Sequence, residues 1–239
     1  MAKFNSLNGL ISWQVDQVID SRLEQIIGEN DFQSPWFLRK GLERSKSVGL
    51  IPNQGTAFLI STNLIMTNWH VFRRPDWAKD KYVIFDFEQE EDGLPLQSVK
   101  VKLNPEGFFY SNEELDYSVV MLSEPISNER PFIDISFPGA GSLDSRVNII
   151  QHPEAGFKKI AIRENGLKFK NEKILQYWTD TEHGSSGSPL FDDKWNIIGL
   201  HYKQDNATSG EESKIYYNEG HVIEAIYNDL IVKNPGVFG

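Results

Sequence analysis

Near the start of the chain, apolar residues recur at helical spacing. Ile11, Val15, Val18, Ile19, Leu23 and Ile26 share one face of a helix drawn over Leu10–Ile27. The spacing predicts an amphipathic helix there and a second over Trp36–Arg44, where Ser34 offers a cap and Pro35 a first-turn proline. From Val48 the pattern changes to short apolar or alternating runs: GTAFLIS, LIMTNWHVF, KYVIFDFE, LQSVKVKL, DYSVVMLS, RVNIIQH, KIAIRE, ILQYWTD, SPLFDD, NIIGLHY and KIYYNEG. Turn-forming residues separate them, which predicts strands of a barrel or sandwich. Helical spacing returns in HVIEAIYNDLIV, just after Gly220, and predicts a C-terminal helix. Gln89–Leu94 and Gln204–Ser213 are polar and read as exposed loops, and no repeat of fixed length is visible.

Composition narrows the picture. With 239 residues, 39% hydrophobic and 24% charged, the chain can bury a core of ordinary size. The formal charge is −10 and the Lys and Arg residues are scattered, which argues against a nucleic-acid surface. There is no cysteine, so neither disulfides nor a thiolate zinc site can hold the fold. The apolar patch of the first residues is interrupted by Asp16, Asp20 and Arg22, unlike a signal peptide, and no run approaches the roughly 20 apolar residues that cross a bilayer. The expectation is a cytoplasmic protein without a membrane segment. The five histidines show no clustered ligand spacing, so neither a metal nor another cofactor is expected.

Three separated segments carry candidate chemistry. In HGSSGSPLFDD, Ser186 sits among glycines ahead of an apolar run. Flanking glycines let the backbone bend sharply, so the amides of Gly184 and Ser186 can converge on one point and stabilise an oxyanion. His70 ends the run LIMTNWH, and Asp116 opens the run DYSVVML. A serine hydroxyl needs a base to attack near neutral pH, and that base needs an acid to fix its tautomer. Taken singly, each segment also reads blandly: a Gly/Ser turn, a satisfied buried histidine, a turn aspartate.

Together the segments resemble the chymotrypsin-like serine peptidases. GTAFLIS, TNWHV, LDYSVV and GSSGSP are similar to four of that superfamily's most specific regions, and the resemblance covers about Val48–Leu230. GSSGSP with TNWHV is nearest the cysteine-free bacterial branch that includes glutamyl endopeptidases. The resemblance implies an all-β fold of two six-stranded antiparallel β-barrels, preceded by N-terminal helices and followed by a C-terminal helix. Residues 1–47 would form the helical extension, 48–130 the first barrel with His70 and Asp116, and 131–239 the second barrel with Ser186. It implies a serine endopeptidase acting on proteins or peptides, in which His70 is the general base, Asp116 orients it, and Gly184 and Ser186 form the oxyanion hole. The digestive enzymes carry an aspartate just before the nucleophile, where this chain has Ser185, so activation through a new N-terminal amine is not expected.

Substrate choice stays open at the sequence level. By resemblance, Asp180 matches the aspartate that binds Arg or Lys, whereas His201 and Thr181 match residues that glutamyl endopeptidases use for an acidic side chain. A third reading pairs Asp180 internally, with His201 or a backbone amide. His183 is placed at the cleft rim, His152 at a strand end or turn, and His221 at the cap of the last helix. Motifs of the form TDTExGSSGSP behind a helical lead also occur in bacterial multi-module and defence-associated proteases, which implies a regulated effector with a protein partner bound through the N-terminal helices. The rival readings are a catalytically silent trypsin-like fold used as a binding module, and an esterase, whose strand-turn-helix nucleophile elbow this sequence lacks.

Overall fold

A computed structural model describes residues 3–7, 10–14, 32–143, 145–209 and 213–238, with backbone only for 3–7, 10–14, 204–209 and 213–216. The chain divides into two compact units, Met1–Ser34 and Pro35–Gly239. In the first unit, β1 (Lys3–Leu7) pairs antiparallel with β2 (Leu10–Gln14). The helix expected over Leu10–Ile27 therefore begins as a strand, whose cross-strand pairing with β1 replaces helical hydrogen bonds; residues 15–27 lie outside those described.

The second unit opens with α1 (Trp36–Ser45), in the place expected, although Pro35 and not Ser34 occupies the cap and no side chain caps it. Seven strands follow: β3 (Val48–Ile51), β4 (Gly55–Leu59), β5 (Leu64–Thr67), β6 (Tyr82–Phe85), β7 (Val99–Lys102), β8 (Phe109–Asn112) and β9 (Tyr117–Met121). They form one antiparallel sheet in the order β7-β6-β3-β4-β5-β9-β8, with a one-turn helix α2 (Pro75–Ala78) between β5 and β6. A second antiparallel sheet contains β10 (Asn148–Gln151), β11 (Lys159–Ala161), β12 (Leu167–Lys170), β13 (Ile174–Tyr177), β14 (Pro189–Phe191), β15 (Ile197–Ser209) and β16 (Ser213–Val222), in the order β11-β10-β14-β15-β16-β13-β12. Helix α3 (Ile223–Lys233) completes the unit. No helix among the described residues is long and apolar enough to cross a membrane.

Each sheet curls back on itself. In the first, the bridge Leu103↔Leu122 and the bonds Asn104 N–H to Met121 O (2.7 Å) and Ser123 N–H to Lys102 O (2.8 Å) return the β7 edge to β9. In the second, the bridge Arg146↔Gly166 and Val147 N–H to Asn165 O (2.7 Å) tie the approach to β10 to the approach to β12. The sheets thus have the curled chymotrypsin-like arrangement, with seven strands each instead of six. The extra strand in the second arises because one stretch is interrupted at residues 162–166, so β11 pairs with β10 while β12 pairs with β13. In the first, β7 and β8 are likewise one stretch interrupted at residues 104–108, since Leu103 pairs with Leu122, just past β9, and Phe109 pairs with Val120 on β9.

Three apolar clusters explain why several strands read as continuous hydrophobic runs. Along β4 and β5, Ala57, Leu59 and Ile65 belong to the core of the first curled sheet, while the alternating Phe58, Leu64 and Met66 belong to a cluster that also takes residues from the second sheet and both long helices. A third cluster, with Ile149, Leu175, Leu190 and Ile198, fills the second sheet. A strand buried on both faces has no polar side to alternate with. Residues 204–209 and 213, expected as a loop together with residues 210–212 that lie outside those described, instead extend β15 and β16 into a paired arm, His201↔Gly220 through Ser209↔Ser213. Ile215, Tyr216 and Tyr217 favour strand, and their pairing carries the polar residues opposite with them.

Candidate active site

His70 lies on the turn after β5, where the amides of Val71 and Phe72 both donate to Asn68 O at 3.3 Å. Asp116 holds it twice: Oδ1 accepts the His70 backbone N–H at 2.9 Å, and Oδ2 lies 2.8 Å from Nδ1. An ionised carboxylate is acceptor-only, so this geometry places the Nδ1 proton toward Asp116 and leaves Nε2 as the base of the neutral ring. Asp116 is itself fixed. Its carbonyl accepts from Asn68 Nδ2 at 2.8 Å, and Asn68 O accepts from Ser118 Oγ at 3.0 Å, which stitches the end of β5 to the start of β9. Its backbone has φ +41°, a left-handed conformation at the end of the β8–β9 turn.

Ser186 lies in the loop before β14, against the opposite wall. Thr56 N–H donates to Ser186 O at 2.8 Å, and a Cβ built on Gly55 would lie 2.8 Å from that oxygen and 3.4 Å from Val71 Cγ2. The Ser186 backbone and the residue beside His70 therefore flank the same glycine. The loop is held by Ser185 N–H to Glu182 O and Ser188 N–H to Ser185 O, both 3.0 Å, and by Gly187 N–H to His201 O at 3.1 Å. Ser185 is fully buried and its Oγ accepts the Glu182 N–H at 3.1 Å, a local cap that involves no charge. Among the described residues, the amides of Gly184 and Ser186 donate to no backbone carbonyl.

Gly184 has φ +94°, and an added Cβ would come within 2.7 Å of Ala155 N and His152 O. Its carbonyl is anchored by Thr56 Oγ1 at 2.9 Å, and the same hydroxyl accepts the His152 N–H at 3.1 Å. Thr67 Oγ1 donates to Thr56 O at 2.8 Å. Thr56, Thr67 and Asn68 are fully buried polar residues that sequence reasoning passed over. The available signal was a polar residue inside an otherwise apolar strand run.

The residues considered for specificity differ in burial and in partners. Asp180 is exposed, and its carbonyl accepts from Gln151 Nε2 at 2.9 Å. Thr181 Oγ1 donates to Asn218 Oδ1 at 2.7 Å, and His183 is exposed. His201 is buried to 3% exposure, with Nδ1 at 2.6 Å from the Tyr177 hydroxyl. Burial pushes its pKa down to about 3, nearby His70 adds to this, and the Glu219 backbone carbonyl opposes it. The internal pairing of Asp180 with His201 does not occur, because Tyr177 takes the buried ring and Asp180 faces solvent. His152 follows β10 directly, its Nδ1 2.9 Å from Gly156 O, and burial lowers its pKa to about 3, with Lys158 adding to the effect. His221 is a β16 residue stacked on Tyr202 at 4.4 Å and does not cap α3, whose cap is Val222.

A model of the trypsin-like peptidase domain family matches residues 55–200. The y4fB protein of Sinorhizobium fredii is 32% identical over 204 residues, covering 75% of this chain and 31% of that protein. A glutamyl endopeptidase of Bacillus licheniformis is 30% identical over 89 residues, covering 37% of this chain and 28% of that protein. The chain thus spans less than a third of these curated relatives. Among solved structures, a Glu endopeptidase aligns over 79% of this chain and 90% of its own, with TM-score 0.54 and 16% identity. The MamO protease domain of Magnetospirillum magneticum aligns over 79% and 97%, with TM-score 0.58 and 11% identity. At such identities the structural likeness is one of fold.

Proposed function

Since the chain belongs to the trypsin-like peptidase domain family, we propose that it is a serine endopeptidase with Ser186 as nucleophile, His70 as general base and Asp116 as the acid that orients the base. The observation that carries this reading is the double grip of Asp116 on His70, through the backbone N–H at 2.9 Å and Nδ1 at 2.8 Å. That grip commits Nδ1 and leaves Nε2 to take the proton from Ser186 Oγ as the oxygen attacks a peptide carbonyl. The amides of Gly184 and Ser186 receive the developing oxyanion. His70 then returns the proton to the leaving amine, and water repeats the sequence to release the acyl group.

For the residue before the cut, the geometry favours a basic side chain met by exposed Asp180. A buried neutral His201 offers no positive charge to an acidic side chain. The absence of cysteine suits a reducing compartment and supports a cytoplasmic setting. The length of the relatives supports a peptidase module within a longer protein, which we take to be a regulated effector with a protein partner.

The test is cleavage of a diverse peptide library by wild type and Ser186→Ala, with each cut located by mass spectrometry. Cuts seen only with wild type, and a rate loss of order 10⁶ in the variant, are expected. Equal cutting by both would refute the mechanism, and labelling of neither by a serine-reactive phosphonate would favour a binding module. Asp180→Ser should selectively depress cleavage after Lys and Arg; an unchanged preference removes Asp180 from the pocket.

A further inference from the structure

One carboxylate outside the triad gathers three hydrogen bonds on a single oxygen. Asp229 Oδ2, on α3, accepts from Tyr117 OH at 2.6 Å, Asn112 Nδ2 at 2.9 Å and Tyr110 OH at 3.0 Å. All three donors belong to the β8–β9 hairpin, which carries Asp116 at its turn. Tyr117 is the residue directly after Asp116 and is fully buried. Asn112 enters the turn from the other side, and its Oδ1 accepts the Leu115 N–H at 3.0 Å. Both arms of the turn are therefore tied to one acceptor supplied by the helix that follows the second sheet.

The tie adds to the Asn68 bond that holds the Asp116 carbonyl. Asp116 adopts φ +41°, a left-handed conformation that aspartate tolerates better than most residues but that still carries a backbone cost. Internally the turn has Asp116 N–H to Glu113 O, at a long 3.3 Å. Leu115 and Tyr117 also share one apolar cluster with Ile223, Ile226 and Leu230 of α3. Three convergent hydrogen bonds, at least one to a buried phenol, fix the turn in all directions.

We infer that Asp229 is a positioning residue for the reaction, holding the Asp116 hairpin in the register at which its carboxylate meets both donors of His70. This rests on the triad reading above but concerns a contact between α3 and the hairpin that does not itself touch substrate. A second cross-link to the same turn, the exposed pair Lys173 with Glu114, provides an internal control. With side chains 56% and 72% exposed, that pair is screened by water and contributes little.

The experiment uses the full chain with Asp229→Ala, Asp229→Asn and Lys173→Ala. The first readout is the low-field NMR resonance of the His70 Nδ1 proton, assigned by its loss in His70→Gln; the second is kcat and KM on a peptide cut by wild type. Asp229→Ala should broaden or abolish the resonance and lower kcat roughly 10- to 100-fold, the scale expected for about 1 Å of misplacement, with KM within about twofold. Asp229→Asn keeps an oxygen for two of the three donors and should lose less, and Lys173→Ala should match wild type. A folded Asp229→Ala with unchanged resonance and kcat overturns the inference, as does a loss no larger than its unfolded fraction. If wild type shows the resonance but cuts no peptide, the peptidase reading fails while the resonance still decides this one. If Asp229→Ala does not fold, Tyr117→Phe and Tyr110→Phe, each removing one donor to Asp229, decide it by the same two readouts.

Discussion

Thr56→Val is the perturbation that best tests how the candidate oxyanion loop is held. Valine has nearly the shape of threonine, so the exchange removes a hydroxyl and leaves the packing in place. In the native chain that hydroxyl has no exposure, donates to Gly184 O at 2.9 Å and accepts the His152 N–H at 3.1 Å. Both partners lose their bond in a site that water does not reach. A buried polar group left without a partner costs about 1–3 kcal/mol. Two such groups, offset in part by the apolar gain of the new methyl, give an expected destabilisation of about 2–4 kcal/mol in urea unfolding at 25 °C. The Gly184 peptide is also freed from its anchor. Since loss of a whole oxyanion donor costs roughly 10²–10³ in kcat, a misaimed one should cost about 10- to 100-fold, read from peptide hydrolysis or from the rate of phosphonate labelling. Thr56→Ser keeps both bonds and should fall within about 1 kcal/mol of wild type. If Thr56→Val and Thr56→Ser unfold at the same urea concentration and turn over alike, the loop is held by its own turns and the reasoning is wrong.

Stability should also fall in mild acid. His152 and His201 are buried neutral, with folded pKa values near 3 against 6.5 unfolded. Their contribution is complete above pH 6.5 and is lost as pH falls toward 3, by about 2 kcal/mol for each group at pH 5, so the urea midpoint should drop between pH 7.5 and 5; a flat midpoint would refute their burial as neutral rings. Gly187→Ala should cost more than about 3 kcal/mol, because φ is +86° and the new Cβ would overlap Thr56 O and Thr67 Oγ1; a soluble variant of native stability would show that the loop takes another path. Tyr177→Phe strands the buried Nδ1 of His201 and should cost about 1–3 kcal/mol in urea unfolding, with Tyr202→Phe, whose hydroxyl on a half-buried residue bonds Glu219, costing less.

Much of this molecule was legible in the order of its residues. Eleven apolar runs anticipated strands in both sheets, because a strand buried on both faces is apolar throughout and one buried on a single face alternates. The runs left out β1 and β3 (VGLI), and also β8 (FYSN) and β12 (LKFK), short edge strands that are largely half-buried or exposed. The helix drawn over Leu10–Ile27 shows the opposite error: a good apolar period does not exclude strand pairing, and Leu10–Gln14 pairs with Lys3–Leu7.

The residue types that the proposed chemistry needs, His70, Asp116 and Ser186, stand out in the sequence because each sits in a motif dictated by short-range geometry: a strand end, a strand start, a glycine-flanked turn. What holds them could not be read there. Thr56 meets Gly184 across 128 positions, Tyr177 meets His201 across 24, and Asp229 meets Tyr117 across 112. Each of these residues is ordinary in its own segment. Their roles come from hydrogen bonds between groups that only the closing of the two sheets brings within 3 Å, and local pattern carries no information about which distant acceptor a buried hydroxyl will find.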